Sequence, residues 1–131
     1  MEPQVVTVDG DDTVREAARR MRAADIGDVL VLEHGRLQGV LTDRDIVVRV
    51  LAADRDPEMT VCSQVSSPEV HRVASSTPVR EAVDLMRRHA LRRLPVVDDD
   101  HVVGVIGLAD IAVDRDSESV LAAISASPST D

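Results

Sequence analysis

The sequence predicts a mixed fold, α/β in the broad sense and α+β in detail, in which one β-α-β-β-α unit occurs twice. Three observations predict it. Hydrophobic residues make up 44% of the 131 and none of them is aromatic, so the core is aliphatic and valine dominates it. β-branched side chains favour strands. Alanine-rich stretches with apolar residues at helical spacing alternate with the valine runs. The chain also matches itself: at an offset of 65 residues, 14–46 fall without a gap on 79–111, with 11 of the 33 positions identical. A repeat that keeps register and periodicity over that length indicates a duplicated supersecondary unit whose halves bury apolar faces together.

Each unit reads in the same order. A short strand is expected at 5–8 and again at 70–73. A polar stretch then leads to a helix N-cap, Asp12 or Thr77, with Pro78 suited to the first helical position. The helix carries Val14, Ala17, Ala18 and Met21 in one unit and Val79, Ala82, Val83 and Met86 in the other. Spacing of i, i+3, i+4 and i+7 gathers them into one stripe. Two apolar runs follow, 29–32 and 37–41, separated by Glu33-His34-Gly35-Arg36. Gly35 can take the positive φ that a hairpin turn needs. The second pair, 94–97 and 102–106, is separated by Asp98-Asp99-Asp100-His101. A further helix starts near Asp43 in the first unit and near Leu108 in the second.

Asp54-Arg55-Asp56-Pro57 reads as a turn between the units, and 60–65 as a short helical turn before Ser66-Ser67-Pro68. The chain divides into a first motif at 3–56 and a second at 57–116. A short helix near 119–125 and a frayed tail fill 117–131.

Composition narrows the function. Fifteen basic residues against 24 acidic leave a formal charge of −9, which argues against neutralising nucleic-acid phosphates. Without Phe, Tyr or Trp there is no aromatic stacking on bases. Every basic residue is an arginine, so lysine nucleophiles and Schiff bases are excluded. A lone cysteine, Cys62, forms no internal disulfide and no cysteine-based zinc site. No apolar run approaches the roughly 20 residues that span a bilayer, and nothing reads as a signal peptide. A cytoplasmic protein without membrane or nucleic-acid partners is expected.

The tandem unit resembles a pair of CBS (cystathionine-β-synthase) motifs, the Bateman module, of the stand-alone bacterial type. The resemblance rests on Val14-Arg15-Glu16-Ala17-Ala18 and Val79-Arg80-Glu81-Ala82-Val83, on Leu94-Pro95-Val96-Val97-Asp98, and on Gly39-Val40-Leu41-Thr42-Asp43-Arg44-Asp45 with its counterpart Gly104-Val105-Ile106-Gly107-Leu108-Ala109-Asp110. It implies two motifs packed with pseudo-twofold symmetry around two clefts. It also implies an adenosine-containing ligand, AMP, ADP, ATP or S-adenosylmethionine. A homodimer is implied too, paired through helices bearing Ile46, Val47, Val50 and Leu51. The module then acts as a regulator that signals to an effector protein in trans, without catalytic cofactor or metal.

The sharpest candidate site is the strand-to-helix junction at 42–45. Its backbone N–H groups face an anion, Thr42 offers a hydroxyl, and Asp45 offers two acceptors to a ribose diol. Arg44 supplies charge toward phosphate if it turns inward. Gly39 lets the strand approach its neighbour. The same residues also spell a capping box, Thr42 capping the helix and Asp45 capping back. Both readings stand on the sequence. The resemblance favours ligand binding for Thr42 and Asp45. In the second copy Asp110 keeps the ribose-binding acid, while Gly107 and Ala109 replace threonine and arginine, so unequal clefts are expected. Arg93, with Arg92, precedes Leu94-Pro95 where relatives place a basic residue against phosphate; pairing with Asp98 or Asp99 is the alternative.

The remaining candidates are structural. His34, His71, His89 and His101 lack metal-ligand spacing. Cys62 has no basic neighbour in sequence to activate it. Asp98-Asp99-Asp100 fits no calcium loop and reads as a hairpin tip. An acid–base pair of Asp43 and Asp45 is an enzymatic alternative with no nucleophile or metal set beside it. A second alternative is a ligand-free dimeric scaffold, for interaction or stress response, with degenerate clefts.

Overall fold

A computed structural model describes residues 6–108. The elements are β1 (Thr7–Asp9), α1 (Val14–Ala24), β2 (Asp28–Glu33), β3 (Arg36–Thr42), and α2 (Asp43–Asp45), which runs into a π-helical segment, Ile46–Leu51. Then come α3 (Cys62–Val65), α4 (Val79–Arg88), β4 (Arg93–Asp98) and β5 (His101–Gly107). They form two compact units, Val6–Val70 and a second beginning at His71. The helix expected to start near Leu108 lies beyond that residue outside the described residues, Asp110 included, and so does the segment 117–131.

In the first unit β1 pairs in parallel with β2, and β2 pairs antiparallel with β3. Alternation along β2 sends Val29 and Val31 into the core, where they meet Val8, Leu41 and the apolar face of α1. Each such side chain, fully buried, is worth roughly 1.5–3 kcal/mol. That face is narrower than the sequence stripe, because Val14, Ala17 and Met21 are buried while Ala18 is exposed.

The helix begins one residue later than expected. Thr13, not Asp12, is the N-cap, its Oγ1 accepting from the Glu16 N–H at 3.1 Å. Asp12 instead accepts from the Asp9 N–H at 2.8 Å and closes the preceding turn. The orphan N–H groups of Val14 and Arg15 donate to the carbonyls of Thr60 and Pro57, at 2.9 and 3.1 Å. This docks the segment after the π helix on the start of α1. α3 then adds Cys62 and Val65 to the first core.

Both hairpins turn in two residues. His34 and Gly35 have φ of 54° and 80°; Asp99 and Asp100 have φ of 52° and 65°. Two successive positive φ values suit the twist of the strands, and aspartate tolerates the left-handed region better than most residues. The aspartate run is therefore turn chemistry. Each hairpin also carries a bulge at the same repeat position, between Val31 and Leu32 and between Val96 and Val97.

The second unit buries Val73, Val79, Ala82, Met86, Leu94, Val96 and Ile106. Here the expected strand at 70–73 shrinks to one parallel bridge between Val73 and Val96. The cause is Pro95. In the first unit the Leu30 N–H donates to the Val6 carbonyl at 3.1 Å; Pro95 holds the equivalent position and has no N–H to give. The N-cap is again shifted. Pro78 is the cap and Val79 the first helical residue, while the Thr77 hydroxyl accepts from the Ala74 N–H at 3.0 Å. Asp98 accepts from the Ser75 N–H at 3.0 Å, and this bond holds its carboxyl below the usual 3.8.

Candidate functional site

β3 delivers Thr42 in an extended conformation to the first turn of α2. Thr42 Oγ1 accepts from the Asp45 N–H at 3.0 Å, and the Thr42 N–H donates to Asp45 Oδ2 at 3.0 Å. The capping box of the sequence reading is therefore present and complete. The Asp45 side chain is 16% exposed, with Arg49 Nε 3.8 Å from its Oδ1. Arg49 also donates through Nη1 to the Val65 carbonyl at 3.2 Å. The box leaves chemistry unspent. Thr42 keeps its hydroxyl proton to donate, and Asp45 Oδ1 keeps lone pairs that no hydrogen bond among the described residues uses.

The anion site expected of the free N–H groups is reduced. The Asp43 N–H donates to the Gly27 carbonyl at 2.8 Å, and that of Asp45 is held by Thr42. Arg44 and Asp43 are exposed, and Thr42 and Asp45 are half-buried. Arg93 lies in β4 of the second unit, opposite Gly107, and is half-buried; Arg92 is exposed. Asp110 lies outside the described residues.

Gly39 approaches a neighbour the sequence did not name. A Cβ there would stand 2.4 Å from the Ser67 carbonyl oxygen, and Val40 and Ser67 exchange two backbone hydrogen bonds of 2.9 Å. Arg49 was missed as well. Its position four residues after Asp45 on a helical segment is the signal that points to it.

The π segment sorts the apolar residues of its stretch. Val47, Val48 and Leu51 are exposed, 54%, 47% and 57%, while Val50 is fully buried. Val50 therefore belongs to the first core and half-buried Ile46 packs against it, so that of the outward stripe expected of Ile46, Val47, Val50 and Leu51 only Val47 and Leu51 face out. Cys62 is buried too, its Sγ 3.5 Å from the Thr13 carbonyl. Burial, then the negative charge of Asp12, pushes its thiol up to about 11, which makes it a poor nucleophile. Among the described residues no group of three or more His, Cys, Asp or Glu is placed to hold a metal ion. None of the described helices is long and apolar enough to cross a membrane.

The sequence profile of the CBS domain matches residues 1–52 and again 62–113. The chain belongs to the CBS-domain family. Its tandem CBS pair is 41% identical over 115 residues to the CBS domain-containing protein YhcV of Bacillus subtilis, covering 88% of this chain and 81% of that one. Hypoxic response protein 1 of Mycobacterium tuberculosis is 35% identical over 113 residues, 86% of this chain and 79% of that one. The crystal structure of Hypoxic Response Protein I with two coordinated zinc ions superposes with a TM-score of 0.70 at 34% identity, over 83% of this chain and 89% of that one. The CBS domain protein PAE2072 of Pyrobaculum aerophilum, complexed with AMP, shares the fold at a TM-score of 0.67 and 22% identity, over 95% and 94% of the two chains. A CBS pair is a regulatory module. The second CBS match opens at residue 62, the start of α3, yet Cys62 and Val65 pack in the first core.

Proposed function

We propose that this CBS pair senses an adenosine-containing nucleotide in the cytoplasm and signals occupancy in trans to an effector protein, without catalysing a reaction. The observation that carries the reading is the Thr42–Asp45 junction. Its capping box holds both side chains in place and still leaves a hydroxyl donor and the Oδ1 acceptor for a ribose and its phosphate. Arg44, exposed beside them, supplies the charge toward phosphate. In the second motif Gly107 and Ala109 offer neither group, so Asp110 and Arg93 contribute less. The fold relative complexed with AMP belongs to the same family.

The module pairs as a homodimer through the π segment, where Val47, Val48 and Leu51 are exposed on one short stretch. Binding shifts the packing of the module and changes the surface an effector meets.

Thermal unfolding with AMP, ADP, ATP and S-adenosylmethionine tests the reading. A ligand at 100 times its Kd adds about 2.7 kcal/mol, which raises Tm by several degrees. Asp45→Ala should remove that rise. The complete capping box also favours a second reading, a ligand-free dimeric scaffold, because it gives Thr42 and Asp45 a full structural role. No rise with any of the four ligands supports that reading and sinks the first.

A further inference from the structure

The repeat allows the two units to be compared residue by residue, and one difference leaves a groove without its occupant. In the first unit Arg20 of α1 closes the groove between that helix and β1. Its Nη1 donates to the Thr7 carbonyl, its Nε donates to Glu16 Oε2 at 3.0 Å, and its Nη2 lies 4.0 Å from Asp12 Oδ2. One guanidinium thus joins a carbonyl and two carboxylates.

At the offset of 65, Leu85 stands for Arg20, Glu81 for Glu16, Thr77 for Asp12 and Arg72 for Thr7. The acceptors are largely retained: a carboxylate, a hydroxyl in place of the second carboxylate, and a backbone carbonyl. The donor is gone, because leucine has none. A cavity of about 250 Å³ lies here, lined in part by Thr77, Glu81, Leu85 and Arg72.

Charge at the groove is not balanced. Arg72 is paired with Asp100 at 3.7 Å, and Arg88, which also lines the cavity, with Asp84 at 2.9 Å. The Glu81 carboxylate makes no hydrogen bond or ion pair among the described residues. Among the described residues two cations are neutralised and one anion is left over, in the place where Glu16 holds Arg20. Leu85 packs on the second core and offers an apolar wall for an alkyl stem.

We propose that this groove binds a guanidinium group, delivered by a ligand where the first unit delivers it from Arg20. A planar fork of donors matches the Glu81 carboxylate and the neighbouring acceptors; a compact ammonium, a point charge, matches them less well. The group is carried either by a free molecule such as arginine or by an arginine side chain in a polypeptide.

Titration of the full chain, followed by amide chemical shifts, tests the site. The probes are L-arginine, a short capped peptide containing one arginine, and L-citrulline, the neutral analogue. Saturable shifts at Thr77, Glu81 and Leu85 are expected with a guanidinium probe and not with citrulline. Saturation by L-arginine alone assigns a small-molecule ligand; saturation by the capped peptide assigns a protein side chain. Leu85→Arg places the missing group in cis and should abolish the shifts. Glu81→Gln, on an exposed residue, should weaken binding about tenfold. No saturable shift with either guanidinium probe, equal shifts with citrulline, or unchanged binding in either variant overturns the proposal.

Discussion

Gly39 and Ser67 are packed backbone to backbone: a Cβ on the glycine would meet the serine carbonyl oxygen at 2.4 Å. Ser67 extends the edge of β3, so residues that the sequence profile gives to the second motif close the sheet of the first. Gly39→Ala forces these two backbones apart and should cost about 1–3 kcal/mol in urea unfolding. Gly35→Ala is the control. Its φ of 80° is unfavourable, but no atom lies within 4 Å of an added Cβ, and a loss of about 1 kcal/mol is expected. Equal losses would show that the close approach relaxes at little cost.

The capping box separates stability from binding. Thr42→Ala removes the acceptor for the Asp45 N–H and should cost about 1 kcal/mol. Asp45→Asn keeps an acceptor for the Thr42 N–H while removing the charge that faces Arg49 at 3.8 Å. Melting curves should place Asp45→Asn nearer the parent than Asp45→Ala. Nucleotide titrations should show both variants weakened if Asp45 holds the ribose.

Alkaline titration isolates one side chain. The chain has no tyrosine and no lysine, so Cys62 is the side chain whose charge changes between pH 8 and 12. Its folded value near 11 lies above the ordinary 9.0, so the folded state holds the proton more tightly. Stability from this group is fully present below pH 9.0, falls as pH rises, and levels off past about 11. Urea midpoints should decline over that window, and Cys62→Ala should flatten the decline. A midpoint independent of pH in the parent would contradict a buried neutral thiol.

Two valines four positions or fewer from Leu51 should behave oppositely. Val47→Glu with Leu51→Glu should lower the mass measured by light scattering from dimer to monomer while leaving the fold intact. Val50→Ala should instead cost about 1–3 kcal/mol of stability and leave the oligomeric state alone. A fall in mass with Val50→Ala alone would place the interface elsewhere.

Much of this was legible. The repeat, the strand–helix–strand–strand order, both hairpin positions and the capping residues at 42 and 45 all follow from periodicity and turn chemistry, which are local. The helix starts slipped by one residue because Asp12 and Thr77 close turns of their own, and sequence does not say which neighbour a cap oxygen serves. Pro95 announced its effect on the second sheet but only once its parallel partner was known. The π winding that buries Val50 among exposed neighbours leaves no mark in an apolar run. The approach of Ser67 to Gly39 and of Arg49 to Val65 is tertiary, and no spacing rule reaches across it.

Pro95 also gives the two halves different clocks. Where Leu30 ties the start of the first unit to its sheet, residues 70–73 of the second unit meet theirs, among the described residues, through the bridge at Val73, and amides no ladder protects trade deuterium with water first. A molecule built from two copies of one pattern is thereby given an early-opening side, chosen by a missing hydrogen.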